Sequence, residues 1–370
     1  MENFKNNIKK FDFPLFLGTI LLSIIGNLLV ASATASYSGG KTQVIIQIAA
    51  TVLGAVLCVV IAFYDYEFLS AKWLYIIGID IFLLLLVLVL GIGAEEVGSK
   101  SWIRVGPISV QPSEFVKIGF ILSFAYQLNL YKDRINELKI AGLCLLHIAV
   151  ITGLVMLQPD FGTTMVFVAV FIIMIFTAGI SWKYIVSAAG AVAVSLPVMW
   201  FFIFKDYQKN RIITFFHPEL DTQFSGYHVM QSKTAVGSGK LFGQGLFKGL
   251  LTQNEFLPAK HTDFIFSVAC EELGFVGAGI IILLIAFIVF RCFYIALKAK
   301  DDLGSYIAIG VASMILVQSL ENIGMTLGLT PVTGITLPFL SYGGSSMLTN
   351  YIAIGLVLNV KIRSKKINFM

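Results

Sequence analysis

Residues 13–30 read FPLFLGTILLSIIGNLLV. The run holds no charged side chain, and its length approaches the roughly 20 apolar residues that one α-helix needs to cross the hydrocarbon core of a bilayer. Lys5, Lys9 and Lys10 precede it and Ala31-Ser32-Ala33 follows it, so the N-terminus imitates a secretory signal peptide. The run is longer than the usual apolar core of a signal, and comparable runs continue along the chain, so it reads as an uncleaved first span. Further apolar segments lie at about 43–63, 74–93, 113–130, 140–157, 162–180, 184–204, 264–290, 303–328 and 336–360. The expected fold is an all-α integral membrane protein with about ten transmembrane helices, one polytopic domain over residues 1–370.

Composition agrees. Hydrophobic residues make up 57% of the 370 and charged residues 13%, where soluble domains carry about 25% charged residues. Mean hydropathy is +0.87. These values exclude a soluble domain, a disordered chain and a disulfide scaffold. Continuous apolar runs also exclude an outer-membrane barrel, whose strands alternate polar and apolar residues. Cys58, Cys144, Cys270 and Cys292 lie in or beside apolar runs without zinc-site spacing, and read as small buried hydrophobes. The net charge of +5 reports orientation rather than nucleic-acid binding. Fifteen Lys and Arg residues fall on the side of the N-terminus, against Lys41, Lys100 and Arg104 in the short loops opposite. The positive-inside rule therefore places both termini in the cytoplasm.

The one long loop, 205–263, lies outside, between spans seven and eight. It carries Gly237, Gly239, Gly243, Gly245 and Gly249, with Tyr207, Arg211, Tyr227 and Lys233 nearby, and reads as an ordered extracytoplasmic cap.

Ionisable residues inside spans are costly, so each one is a candidate for function. Glu114 and Lys117 share one face of the fourth span, either as a self-neutralising pair behind Pro112 and Ser113 or as a cation held ready for an anionic headgroup. Gln158-Pro159-Asp160-Phe161-Gly162 breaks the chain between spans five and six, with Asp160 a helix cap or a site residue. His261-Thr262-Asp263-Phe264-Ile265-Phe266 opens span eight. There Thr262 or Asp263 caps the helix, or Asp263 is a general base at the membrane boundary with His261 beside it. Of Glu271 and Glu272, at least one should face the bundle interior. Glu321-Asn322 lies in span nine. The Pro- and Gly-rich stretch 330–346 then breaks the chain before span ten, which points to a polar cavity on the outer side.

At these residues the sequence resembles the SEDS family (shape, elongation, division, sporulation) of bacterial cell-wall polymerases. The resemblance rests on Gln111-Pro112-Ser113-Glu114 with Lys117, Gln158-Pro159-Asp160 with Gly162, Tyr207 and Arg211, and Gln231-Ser232-Lys233. It continues through His261 to Phe266 with Glu271-Glu272-Leu273-Gly274, then Asn322-Ile323-Gly324-Met325, Pro331, Gly334, Pro338 and Ser341-Tyr342-Gly343-Gly344-Ser345. Phe256-Leu257-Pro258 and the short tails resemble the RodA-type elongation branch more than the FtsW-type division or SpoVE-type sporulation branch. Lys240 and Ser101 depart from the family pattern in outside loops.

The resemblance implies a peptidoglycan glycosyltransferase of the bacterial cytoplasmic membrane. Its reaction would polymerise lipid II onto a glycan strand carried on undecaprenyl pyrophosphate, with inversion. Asp263 would be the essential carboxylate. Glu114, Lys117, Asp160, Arg211, Lys233, His261, Asn322, Ser341 and Tyr342 would form the substrate site. The resemblance also implies a divalent cation, Mg²⁺ or Mn²⁺, with no readable ligand set, and a class B penicillin-binding protein (a transpeptidase) as partner. Two other readings stand beside it: a lipid-precursor flippase or secondary transporter, and a non-catalytic scaffold for that transpeptidase.

Overall fold

The computed structural model describes residues 9–37, 39–92, 100–105, 108–198, 200–201, 209, 213–217 and 225–364. Among the described residues, seven long helices precede the long loop: α1 Phe13–Ala33, α2 Gly40–Phe63, α3 Trp73–Leu90, α4 Pro112–Tyr131, α5 Leu138–Met156, α6 Phe161–Thr177 and α7 Trp182–Val198, with the short helix Tyr66–Ser70 between α2 and α3. Helix α8, Ser225–Ser238, lies within the loop, and α9 Ile265–Leu297, α10 Asp302–Thr326 and α11 Gly344–Arg363 follow. Every apolar segment expected from the sequence is thus occupied by a helix. Among the described residues, seven helices (α1, α2, α3, α5, α9, α10 and α11) are long and apolar enough to cross a membrane, and α6 is a shorter apolar helix.

Local chemistry sets the helix starts. Asp12 accepts from the Leu15 amide at 3.1 Å, with Pro14 in the first turn of α1. Asp301 does the same for α10 through Gly304, at 2.7 Å. The core lies around α10 and α11, whose membrane-length stretches are mostly buried. Helix α11 packs along α2, and α10 packs against α9, α6 and α4. Peripheral α3 instead turns Leu74, Tyr75, Phe82 and Val89 outward, as a lipid-facing helix does. All four cysteines are buried and free, as expected.

The structure departs from the sequence reading in three places. Helix α11 starts at Gly344 rather than near 336, because Pro338, a positive φ at Phe339 (66°) and the Gly343 turn keep 331–343 out of helix. Between α3 and α4 a small antiparallel hairpin forms, β1 Ile103–Val105 with β2 Ile108–Val110, too short to show a strand period in sequence. Finally, α9 is broken at Gly274 (φ 68°, ψ −169°). There the amides of Phe275 and Val276 donate to the carbonyls of Lys240 and Leu241, while Gln244 and Gly245 donate to the carbonyls of Glu271 and Glu272. The glycine-rich loop is therefore laid into the helix break rather than over it.

Candidate functional site

The site is built where four chain segments meet at the loop-bearing ends of α4, α6, α9 and α10. In α4, Pro112 occupies the first turn, but the N-cap is Gln111 and no side chain caps the helix. Lys117 Nζ lies 2.8 Å from Glu114 Oε1, both side chains are buried, and Glu114 Oε2 has no partner among the described residues. Asp160 caps α6: it accepts from the Thr163 amide at 3.0 Å and the Thr163 hydroxyl at 2.9 Å, and Gln111 Nε2 donates to it at 3.3 Å. Burial pushes the Asp160 carboxyl up, beyond what the two Thr163 bonds and the nearby Lys117 cation offset. Capping accounts for Asp160, and the residue also faces the Glu114–Lys117 pair.

Residues 333–335 connect this charged group to Asp263. A Cβ on Gly162 would stand 2.8 Å from the Thr333 carbonyl oxygen and 2.7 Å from the Ile335 side chain. On the same short stretch, Gly334 adopts φ 74°, and a Cβ there would stand 3.6 Å from Asp263 Oδ2. Asn322 Nδ2 ties the stretch in place, donating to the carbonyls of Asp263 (2.8 Å) and Ile335 (2.7 Å). The Ser341 hydroxyl donates to the Thr262 carbonyl at 2.6 Å and accepts from the Leu337 amide at 2.8 Å. Asn322 Nδ2 and the Ser341 hydroxyl thus hold backbone, while Asn322 Oδ1 has no partner among the described residues.

Asp263 does not cap α9. The N-cap is Phe264, with no side-chain bond, because a turn in which the Thr262 and Phe264 amides both donate to the Ala259 carbonyl rotates Asp263 away from the helix start. The side chain is half-buried. Burial pushes its carboxyl up to about 6, partly offset by the neighbouring Thr262 hydroxyl. His261 lies between two rings, 5.7 Å from Tyr37 and 5.5 Å from Tyr342, and Nδ1 has no partner. Burial, then the neighbouring Lys260 cation, lowers its pKa. The Tyr342 amide donates to the His261 carbonyl at 2.8 Å.

Lys233 is exposed on α8, apart from this group, where it lines a small pocket with Phe215, Val229, Gly328, Thr330 and Pro331. Arg211 and Tyr207 lie outside the described residues. Both Glu271 and Glu272 are buried, which meets the expectation that at least one faces the interior, and both serve the loop. Glu271 accepts from the Leu251 and Thr252 amides at 2.7 and 3.0 Å and from the Thr252 hydroxyl at 2.6 Å. Glu272 accepts from the Ser32 hydroxyl at 2.6 Å. Sequence reasoning passed over Tyr37 and Lys260; the only signal available was an aromatic residue in the loop after the first span and a lysine next to His261. Among the described residues, no group of three or more His, Cys, Asp and Glu side chains stands close enough to hold a metal ion.

This arrangement links a carboxyl of raised pKa to a charged cluster through a stretch of backbone interrupted by proline and glycine. The FtsW/RodA/SpoVE family of cell cycle proteins matches residues 13–366. The chain belongs to this family. As a member it is a multi-pass membrane protein. It is 37% identical to the peptidoglycan glycosyltransferase MrdB of Escherichia coli K12 over 368 residues, 98% of each chain. It is 36% identical to the probable peptidoglycan glycosyltransferase FtsW of Trichlorobacter lovleyi over 361 residues, 95% of this chain and 93% of the other. It also resembles a chain of a peptidoglycan synthase complex, solved for how that complex coordinates polymerization and crosslinking. There the TM-score is 0.82 at 29% identity, covering 95% of this chain and 97% of that one. The MrdB and FtsW identities are nearly equal, so identity does not separate elongation from division.

Proposed function

We propose that this peptidoglycan glycosyltransferase extends glycan strands from lipid II by an inverting transfer with Asp263 as general base, and that it serves cell elongation. The observation that carries the reading is the Asp263 carboxyl: half-buried, released from helix capping, beside Gly334, and raised to about 6. Such a group is ionised at neutral pH and still basic enough to accept a proton from a sugar hydroxyl. The acceptor hydroxyl oxygen forms the new bond to the anomeric carbon of the donor and passes its proton to Asp263. The bond to the lipid diphosphate breaks, and the diphosphate leaves with the electron pair.

A departing diphosphate needs positive charge. Lys117, held by Glu114, is the buried cation nearest the Asp160 turn, and Lys233 and Arg211 are the candidates on the loop side. His261 and Tyr342 offer a neutral ring pair beside the base. Mg²⁺ or Mn²⁺, where it takes part, would add charge compensation at the diphosphate. The described residues build no metal cage, so its ligands would come chiefly from the substrate. EDTA is then expected to lower polymerisation, and an unchanged rate in EDTA would remove the cation.

Elongation is favoured by Phe256-Leu257-Pro258 ahead of the His-Thr-Asp motif. The likeness to a synthase complex supports a class B penicillin-binding protein as partner. The excess of Lys and Arg on the N-terminal side supports cytoplasmic termini, which put Asp263 at the outer boundary, where a lipid-linked sugar is presented.

The test is polymerisation of lipid II by purified protein, with its partner, in detergent. Wild type should yield glycan strands and a folded Asp263→Asn variant should yield none. Strands from both would end the role of Asp263 as base. The buried Glu114–Lys117 pair and the broken stretch 331–343 would also suit a flippase. Headgroup translocation across liposomes without strand formation would select that reading.

A further inference from the structure

Lys260 is fully buried, yet among the described residues it has no carboxylate partner within ion-pair distance. A buried ammonium needs its donors satisfied, and every group that satisfies this one belongs to a different segment. Nζ donates to the Thr252 carbonyl at 2.5 Å and to the Ser36 hydroxyl at 2.9 Å, and it lies 4.6 Å from the centre of the Tyr37 ring. Thr252 is itself fastened through its amide and hydroxyl to Glu271. Tyr37 meets the His261 ring edge-on at 5.7 Å, and His261 meets Tyr342 at 5.5 Å. One ammonium therefore joins the α1–α2 loop, the short helix Leu250–Gln253 and the residue three places before Asp263.

We infer that Lys260 is a positioning residue for the transfer: its buried charge clamps Thr252, Ser36 and Tyr37 around the 261–263 turn and so fixes the Tyr37–His261–Tyr342 rings and the Asp263 carboxyl in register. The inference rests on Asp263 as the base. Lys260 has no exposed surface from which to touch substrate, so its action is through the turn alone. A displacement of that turn by about 1 Å is enough to lower turnover strongly, while Lys117, Arg211 and Lys233, the proposed diphosphate cations, lie outside the turn.

The experiment is lipid II polymerisation by full-length protein carrying Lys260→Met, Lys260→Arg, Tyr37→Leu or Tyr37→Phe, with Asp263→Asn alongside and a thermal melt for each. Lys260→Met should lower kcat roughly tenfold or more with KM for lipid II within about twofold. Lys260→Arg, which keeps a cation and its donors, should recover most of the loss. Tyr37→Leu should lower kcat, and Tyr37→Phe, which keeps the ring, should not. Wild-type turnover in Lys260→Met, or equal impairment of the Met and Arg variants at unchanged melting temperature, overturns the inference. If Lys260→Met fails to fold, the Tyr37 pair decides: Tyr37→Leu at wild-type kcat overturns it. An inactive Asp263→Asn beside a fully active Lys260→Met removes only the clamp, whereas an active Asp263→Asn removes the base itself.

Discussion

At the scale of single residues, the proposed chemistry rests on the carboxyl of Asp263. Its value in the fold, about 6, lies above the ordinary 3.8 because burial disfavours the ionised form. Two opposite pH dependences follow. Turnover needs the ionised base, so kcat is expected to fall about tenfold per pH unit below about 6, and a flat profile from pH 7 to 5 would contradict the assignment. Stability runs the other way. Folding raises the affinity of this group for its proton, so its stabilising contribution is complete below about 3.8 and is lost as pH rises through about 6. Asp263→Asn carries no charge to desolvate. It is therefore expected to melt at or above the wild-type temperature at pH 7.5 while polymerisation disappears, and a clearly lowered melt would mean that the carboxylate holds structure.

At the scale of elements, two helices carry features whose loss can be priced separately from catalysis. In α4, Lys117 neutralises Glu114 out of reach of water. Lys117→Ala leaves an uncompensated buried carboxylate and is expected to cost about 3–5 kcal/mol of stability in addition to activity. An unchanged melt with lost activity would show that Lys117 serves the substrate alone. In α9, the break at Gly274 admits the loop so closely that a Cβ would stand 2.2 Å from the Gly243 nitrogen, at a φ that side chains rarely adopt. Gly274→Ala is expected to destabilise by about 2 kcal/mol or more, since backbone rather than a flexible side chain must give way. Limited proteolysis of the 239–260 loop should report it first, and an unaltered digestion pattern would speak against the interlock.

At the scale of the whole molecule, the arrangement puts buried polar helices at the centre and apolar ones around them. Helices α10 and α11 are mostly buried, whereas α3 is mostly exposed. In lipid this order is stable because the outer helices hydrogen-bond their own backbone and offer only apolar side chains to the surroundings. It also leaves the loops to set orientation. Cysteines introduced near each terminus are expected to resist an impermeant thiol reagent in intact cells, while one in the short loop between α1 and α2 should react; labelling of either terminus would reverse the orientation.

The membrane class, the apolar segments and the candidate Asp263 were legible in the chain itself. Twenty-residue apolar stretches leave the backbone no option but helix in lipid, and charged or proline-rich interruptions in such a chain stand out against it. Tertiary structure alone decided what those interruptions do. Asp160 both caps α6 and faces Lys117, Asp263 is turned out of the capping position, and Glu271 and Glu272 fasten the loop into a broken helix through the Thr252 and Gly249 amides. The physical reason is that periodicity and hydropathy report which residues must leave water, whereas the partner of a buried polar group is chosen by segments more than two hundred positions apart, as Lys260 and Ser36 show.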